Sequence, residues 1–430
     1  MPRYRRLVVA VLLAASLSGG LITGREFFYT LTYFWAGLLI FSLAVALSGI
    51  YGLRLTRHTR ARRAQVGRPL EERFSLRSNS PIPKLWIEVR DHSDLPGHHA
   101  SIVVEALAPR RERIWVVRTL CRFRGRWTLG PVTLTAGEPF GLFQFSRRLA
   151  DTRSLVVYPA ALPLPHFALP VGLMPGGEAL RRRTPFLTPN ASTVREYAQG
   201  DALSRIHWKS TARRGRLIVK EFELDPLSDL WIFLDGYEGA RAADEEVLSQ
   251  LDIDLPLWAV PAQIELPPDT EEYCVTTAAT LAQHFIRRGR AVGFAAYGQS
   301  REVVQADRGE RQLTKLLETL AVLRAAGDLR LDQVLMLEGE QLARGTTVLV
   351  VTASPDQRWP IVARSLQRRG LRVVGMLIDP EGFGGPPGMP VTAEILRAAG
   401  IPAYLISRDD NIAAALMTSS PVQSRAGVGG

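Results

Sequence analysis

Two uncharged apolar runs open the chain, residues 7–24 (LVVAVLLAASLSGGLITG) and residues 27–53 (FFYTLTYFWAGLLIFSLAVALSGIYGL). A helix needs about 20 residues to cross a hydrocarbon layer ~30 Å thick. The runs therefore predict a transmembrane helical hairpin, turned at Arg25-Glu26 and weakest at Gly19-Gly20. Over residues 71–159 the apolar period shortens to two. Segments such as KLWIEVRD, SIVVEALA and RIWVVRTLCRF are punctuated by Pro and Gly, which predicts short strands and a small β-sandwich ending at SLVVYP (154–159). From about residue 228 apolar strands alternate with helical stretches. Strands are expected at 229–235, 290–298, 346–352, 371–379 and 401–407, with helices at 271–289, 311–327, 360–370 and 391–400. Strands apolar on both faces, separated by helices, predict an α/β doubly wound sheet.

Charge refines this outline. The formal net charge of +11 is concentrated in two places. Residues 1–68 hold ten Arg and one acid, and residues 181–220 hold eight Arg, two Lys and two acids, so the remainder is mildly acidic. Arg3, Arg5 and Arg6 precede the hairpin, while Arg54, Arg57, Arg60, Arg62, Arg63 and Arg68 follow it. The positive-inside rule then puts both outer ends in the cytoplasm. A cleaved signal peptide is the rival for the first run, and it leaves residues 54–430 on the same side. The expected organisation is a hairpin over 1–53, a basic juxtamembrane linker over 54–70, the β domain over 71–159 and a Pro/Arg-rich connection over 160–193. A basic segment over 194–224, the α/β domain over 225–418 and a flexible tail over 419–430 complete it. The linker's arginines suit an anionic lipid surface, at about 1 kcal/mol each.

Familiar chemistry is scarce. No phosphate loop, dinucleotide fingerprint, zinc-protease motif or nucleophile elbow occurs. Cys121 and Cys274 lack metal or disulfide spacing and are expected to be small buried hydrophobes. The pair His98-His99 lies in a turn-like DLPGHHAS context, where solvent exposure is expected. Ligands of doubly wound sheets gather at the carboxyl ends of strands, here Asp235, Tyr297, Thr352 to Asp356, and Asp379. Among these Asp235 is the weak candidate for a Mg²⁺ site; a structural carboxylate is the alternative. The stretch VREYAQGDALSRIHWKSTARRGRLIVKEFEL (194–224) sets basic residues around Tyr197 and Trp208. Such a cluster suits phosphate, an acidic protein surface, lipid headgroups or single-stranded nucleic acid. Equally, Glu196, Asp201 and Glu221 would tie its arginines into an ion-pair network.

This segment resembles the signature of the domain of unknown function 58 family: R-E-Y, two residues, G-D, then R-x-I-x-W and a basic stretch ending in A-R. Arg195, Glu196, Tyr197, Gly200, Asp201, Arg205, Ile206, Trp208, Lys209, Ala212 and Arg213 fill it. The resemblance extends to the hairpin, the strand from Arg124 to Pro131, the P-F-G-L-F segment from Pro139 to Phe143, and the α/β domain. It implies a von Willebrand factor A-like fold for the latter, a MoxR-type AAA ATPase partner, often with a transglutaminase-like membrane protein, and a role in assembly or envelope physiology. A metal-binding domain of that class carries D-x-S-x-S after its first strand. Here Asp235-Gly236-Tyr237-Glu238-Gly239 replaces both serines, so no metal or other cofactor is expected. The expected protein is a non-catalytic interaction module of the inner cell membrane. Its contacts would come from Arg195, Arg205, Lys209 and Arg213, with Tyr197 and Trp208 packed against the sheet. The alternative is a metal- or phosphate-dependent enzyme built on Asp235 and the 195–213 segment. Nucleic-acid binding ranks last.

Overall fold

The computed structural model describes residues 2–59, 62–165, 167, 191–196, 208–222, 229–250, 264–408 and 410–418 of the 430-residue chain. They fall into two compact units, one within Met1–Ala160 and Gln250–Pro267, the other within Ala161–Ser249 and Pro268–Gly430.

The first unit begins with two antiparallel helices, α1 (Pro2–Thr23) and α2 (Glu26–Ile50). They turn at Gly24, whose φ of +69° is one that glycine adopts without strain. The Gly19-Gly20 pair, expected to weaken α1, has a packing role: a Cβ on Gly19 would stand 2.8 Å from the Phe28 ring. Thr32 Oγ1 donates to Ser16 Oγ at 3.2 Å and sets the register between the helices. Apolar residues face outward, with Ile22 84% and Ile40 70% exposed. Helices of this length and composition mark the chain as membrane-associated.

Among the described residues ten strands follow in this unit: β1 (Leu53–Thr59), β2 (Arg63–Gln65), β3 (Pro69–Ser78), β4 (Ile87–Asp91), β5 (Ile102–Val104), β6 (Glu112–Leu120), β7 (Gly125–Leu129), β8 (Val132–Gly137), β9 (Gln144–Leu149) and β10 (Arg153–Tyr158). They form three sheets, ordered β1-β3-β6, β2-β10-β7 and β5-β4-β8-β9. Leu53 and Leu76 of the first sheet share a core with Ile87, Val89, Val104, Val132 and Leu134 of the third. Residues 54–59, expected within a juxtamembrane linker, are strand β1 instead, paired antiparallel with β3 from Leu53↔Ser78 to Thr59↔Glu72. The alternation Leu53, Leu55, Arg57 explains it: the strand turns these three inward and leaves Arg54, Thr56 and His58 exposed. Leu266 packs with Val66, Leu70, Leu129 and Leu155 of the same unit.

The second unit holds β11 (Ala191–Glu196), α3 (Trp208–Arg214), β12 (Ile218–Phe222), β13 (Leu230–Leu234), α4 (Glu245–Gln250), α5 (Thr270–Arg287), β14 (Val292–Tyr297), β15 (Arg301–Asp307), α6 (Glu310–Val322), α7 (Leu331–Gly339), β16 (Thr347–Thr352), α8 (Arg358–Arg368), β17 (Arg372–Ile378), α9 (Met389–Ala398), β18 (Ala403–Ile406) and α10 (Ile412–Thr418). A six-stranded sheet runs β15-β14-β13-β16-β17-β18, parallel except for β15. All five expected strands are present. The antiparallel edge β15 and the helix α7 were not expected. Both lie outside the strong apolar runs: β15 exposes Arg301, Gln305 and Asp307, and α7 is only nine residues long. Helices cover both faces. Trp231 and Phe233 of β13 meet α7, α8 and α9 in one core, around Trp359, and α5 packs across β13, β14, β16 and β17. Gly293 of β14 admits the Trp231 ring, since a Cβ there would stand 2.6 Å from it.

Trp359 is 1% exposed at the centre of that core. Trp359→Ala is expected to cost about 3–5 kcal/mol, measured as a lower urea midpoint for exposure of the buried Cys274 thiol in the same unit.

Candidate functional site

The order of the sheet reverses between β13 and β16, so a crevice opens where their carboxyl ends diverge. Asp235 stands there. Its N–H donates to Val351 O at 2.9 Å, which continues the ladder one residue past β13. Its Oδ1 accepts the Tyr237 N–H at 3.1 Å and its Oδ2 accepts the Thr352 hydroxyl at 2.6 Å. Thr352 Oγ1 in turn accepts from Ser354 N at 2.9 Å. Gly236 is pressed against the neighbouring loop, where a Cβ would stand 2.6 Å from Tyr297 O. Burial pushes the Asp235 carboxyl up to about 6; the bonds from Thr352 and Tyr237 oppose this, and the negative charges of Asp332 and Asp356 add to it.

Around this point an open depression is lined by Tyr237, Arg330, Ser354, Asp356, Arg358 and Val391, among others. Its charges are paired internally: Arg358 Nε donates to both Asp356 oxygens at 2.9 and 2.8 Å, and Arg330 Nε donates to Asp332 at 3.2 Å. The Arg358 guanidinium holds the Asp356 carboxyl below its ordinary value. The donor set does not suit an octahedral divalent cation. Both oxygens of Asp235 are engaged, Tyr237 and Gly239 stand where hydroxyl ligands would be needed, and the described residues contain no group of three His, Cys, Asp or Glu placed to hold a metal.

The basic signature is built differently from expectation. β11 and β12 pair antiparallel, with Arg195 opposite Val219 and Glu196 opposite Ile218, and α3 lies between them in sequence. Thr211 Oγ1 accepts the Ile218 N–H at 3.0 Å, tying α3 to the start of β12 beside the buried Ile218. Lys209, Ala212 and Arg213 are exposed. Trp208, expected to pack against the sheet, is 67% exposed. A seven-residue helix tied at Thr211 offers its first residue no wall to pack on. Tyr197, Gly200, Asp201, Arg205 and Ile206 lie outside the described residues.

The model of the family described as "Protein of unknown function DUF58" matches residues 193–244, the span from β11 to the end of the Asp235 loop. The chain is similar to the DUF58 family over this segment. It is 20% identical over 330 residues to the uncharacterized protein YeaD of Bacillus subtilis (strain 168), covering 74% of each chain. Similarity to solved structures is slight. A CARDB domain from Pyrococcus furiosus, crystallised in complex with di-metal ions, is 14% identical, covers 24% of this chain and 91% of its own, and gives a TM-score of 0.19. An alkylpurine DNA glycosylase from Pseudomonas fluorescens is 19% identical, covers 32% and 41%, and gives 0.18.

Among the described residues, a buried group of charged side chains lies in the β-rich unit, at positions that carry no sequence motif. Arg57, expected to face lipid, turns inward from β1. Its Nη2 donates to Glu72 Oε2 at 2.6 Å, and its Nη1 donates to Asp91 Oδ1 at 3.2 Å. His98 Nε2 stands 3.1 Å from Glu72 and 3.2 Å from Asp91, its side chain wholly buried. The exposure expected of the histidine pair thus holds for His99 alone. Burial raises the carboxyl of Glu72, but His98, Arg57 and Thr59 outweigh it and bring it down to about 2. Burial likewise lowers His98, and its bonds to Asp91 and Glu72 outweigh that and raise it. No spacing in the sequence signals this group. The one available cue is Arg57 at an inward position of an alternating strand.

Two pH profiles follow. For Asp235, a folded-state value raised from 3.8 to about 6 means stability present below 3.8 and lost as pH rises through 6. Asp235→Asn is expected to abolish that slope, leaving the variant more stable than wild type above pH 6 by on the order of 3 kcal/mol. A slope shared by both proteins, read through Cys274 exposure in urea, would sink the assignment. In the other unit, Glu72 contributes stability above 4.5 that is lost as pH falls toward 2, and His98 contributes stability below 6.5 that is lost as pH rises through its raised value. Exposure of Cys121, buried in the same unit, should therefore need most urea between those limits. Glu72→Gln should lower that midpoint, a stability loss of about 3–5 kcal/mol, because Arg57 would be left buried with one partner fewer.

Proposed function

We propose that this chain is a membrane-anchored interaction module, with its soluble part in the cytoplasm, that acts with a MoxR-type AAA ATPase and performs no catalysis of its own. The observation that carries the reading is the commitment of polar groups at the switch point to one another. Asp235 is held by Thr352 and Tyr237 N, Asp356 by Arg358, and Asp332 by Arg330. A catalytic centre needs a donor or base free to engage substrate. A docking surface needs shaped, paired charges around a depression.

We read the α/β unit as a von Willebrand factor A-like domain, supported by its central parallel strands, the antiparallel β15 at one edge and helices on both faces. The β-rich unit reads as a β-sandwich, supported by the core its first and third sheets share. Arg5, Arg6 and Arg54 flank the hairpin and support the cytoplasmic orientation. The resemblance of the signature segment supports the ATPase, and a transglutaminase-like membrane protein, as partners in assembly, maturation or envelope physiology. Lys209 and Arg213, exposed on α3, are the contact candidates for an acidic patch on the partner.

Purification from native membranes in mild detergent is expected to bring down an AAA ATPase, with recovery dependent on the nucleotide added. Lys209→Glu with Arg213→Glu should lower recovery at least about tenfold, a loss of roughly 1.4 kcal/mol or more. Recovery of no ATPase, with or without ATP, overturns the reading.

A further inference from the structure

The joint between the hairpin and the β-rich unit carries an inference of its own, which rests on the reading of α1 and α2 as membrane-spanning. Two loops of the β-rich unit bracket the end of α2. The loop before β4 is fastened by Lys84, whose buried ammonium donates to Ser48 O at the last turn of α2, and by Asn79 N, which donates to Gly52 O at 2.8 Å. A cation placed on the last carbonyls of a helix also satisfies groups that have no partner within it. The loop between β8 and β9 is fastened to the other helix: Arg5 Nη1 donates to Phe140 O at 3.3 Å, and the Arg6 guanidinium lies 5.6 Å from the Phe143 ring centre. Helix α2 itself packs on β8, where a Cβ on Gly49 would stand 2.9 Å from Ala136 Cβ.

The β8–β9 loop is built to hold one shape. Glu138, 5% exposed, accepts the backbone N–H groups of Phe140 at 2.5 Å and Phe143 at 3.1 Å, and that of Leu142 as well. Gly141 makes the turn at φ +69°. Leu142 is buried, yet Phe140 is 49% exposed. On the other loop Ile82 is 52% and Leu85 47% exposed, and Tyr51 at the end of α2 is 72% exposed.

These residues lie around the open end of the hairpin. Contact between Ser16 and Thr32 puts Arg5 level with Leu43. About 20 residues counted from Phe27 end at Ala46, where a hydrocarbon layer of ~30 Å runs out. We infer that the loops carrying Ile82, Leu85 and Phe140 are a membrane-contact surface, seating the β-rich unit on the headgroup and acyl boundary of the bilayer that holds its hairpin. The chemistry fits: aromatic and aliphatic side chains favour that boundary, and Arg5 and Arg6 reach headgroup phosphates from it. Continuity with the apolar helices is what assigns a lipid surface, in preference to a protein, as the occupant.

The test uses full-length protein in vesicles of phosphatidylcholine and phosphatidylglycerol. Nitroxides are attached without denaturant at Phe140→Cys or Ile82→Cys, since Cys121 and Cys274 are buried. Phe34→Cys, on the exposed face of α2, reports the bilayer. Asp151→Cys, beyond the end of β9 remote from the loop, reports water. Positions 140 and 82 should favour collision with oxygen over a water-soluble nickel chelate, falling between the two controls. If both match position 151 while position 34 favours oxygen, the membrane-contact surface is refuted and the anchor stands. If position 34 also favours nickel, the spanning hairpin fails, and this inference with it.

Discussion

A charge removed from water must find partners, and this constraint shapes both units of the chain. In the β-rich unit Arg57 enters the core because Glu72 and Asp91 are there to receive it, and His98 closes the group from the far side. Glu138 is buried because three backbone N–H groups converge on it. In the α/β unit Asp235 sits at the mouth of the sheet with both oxygens engaged. Each arrangement gives up reactivity for position: these carboxylates hold loops and strands in place.

The same constraint accounts for the joint between the hairpin and the sheets. A helix such as α2 ends with carbonyls that have no helical partner, and Lys84 supplies a donor to one of them from the β-rich unit. The polar link makes the end of α2 part of the folded unit, as does Ile50, which packs against the core formed by Leu53, Leu76 and Ile87. The hairpin is therefore continuous with the strands that follow it, and the arginines around its ends are divided by role. Arg5 and Arg6 touch the β8–β9 loop, Arg54 faces solvent, and Arg57 is interior.

Much of the fold was legible because it rests on local periodicity. The apolar runs of α1 and α2, the five parallel strands and the helices between them all follow from hydrophobic spacing, which a linear sequence displays directly. The missed elements had weak patterns. β15 is a half-exposed edge strand with charged residues at both ends, and α7 is too short for its period to stand out. The Gly-Gly pair of α1 had a role that spacing does not show: propensity counts the glycines as a cost, while the close approach of Phe28 and Tyr29 needs their missing Cβ atoms.

What the sequence determined by itself was the pair of long apolar helices, the change from β to α/β patterning, the signature segment at 194–224, and the absence of serine hydroxyls beside Asp235. Tertiary structure alone decided which charged residues are interior and whom they meet. Glu72, Asp91 and His98 are drawn to Arg57 from separate strands and a loop, and Lys84 reaches Ser48 from 36 residues away. The physical reason is that burial and ion pairing are relations between distant segments. A residue's identity specifies the charge; the fold specifies whether water or a partner compensates it.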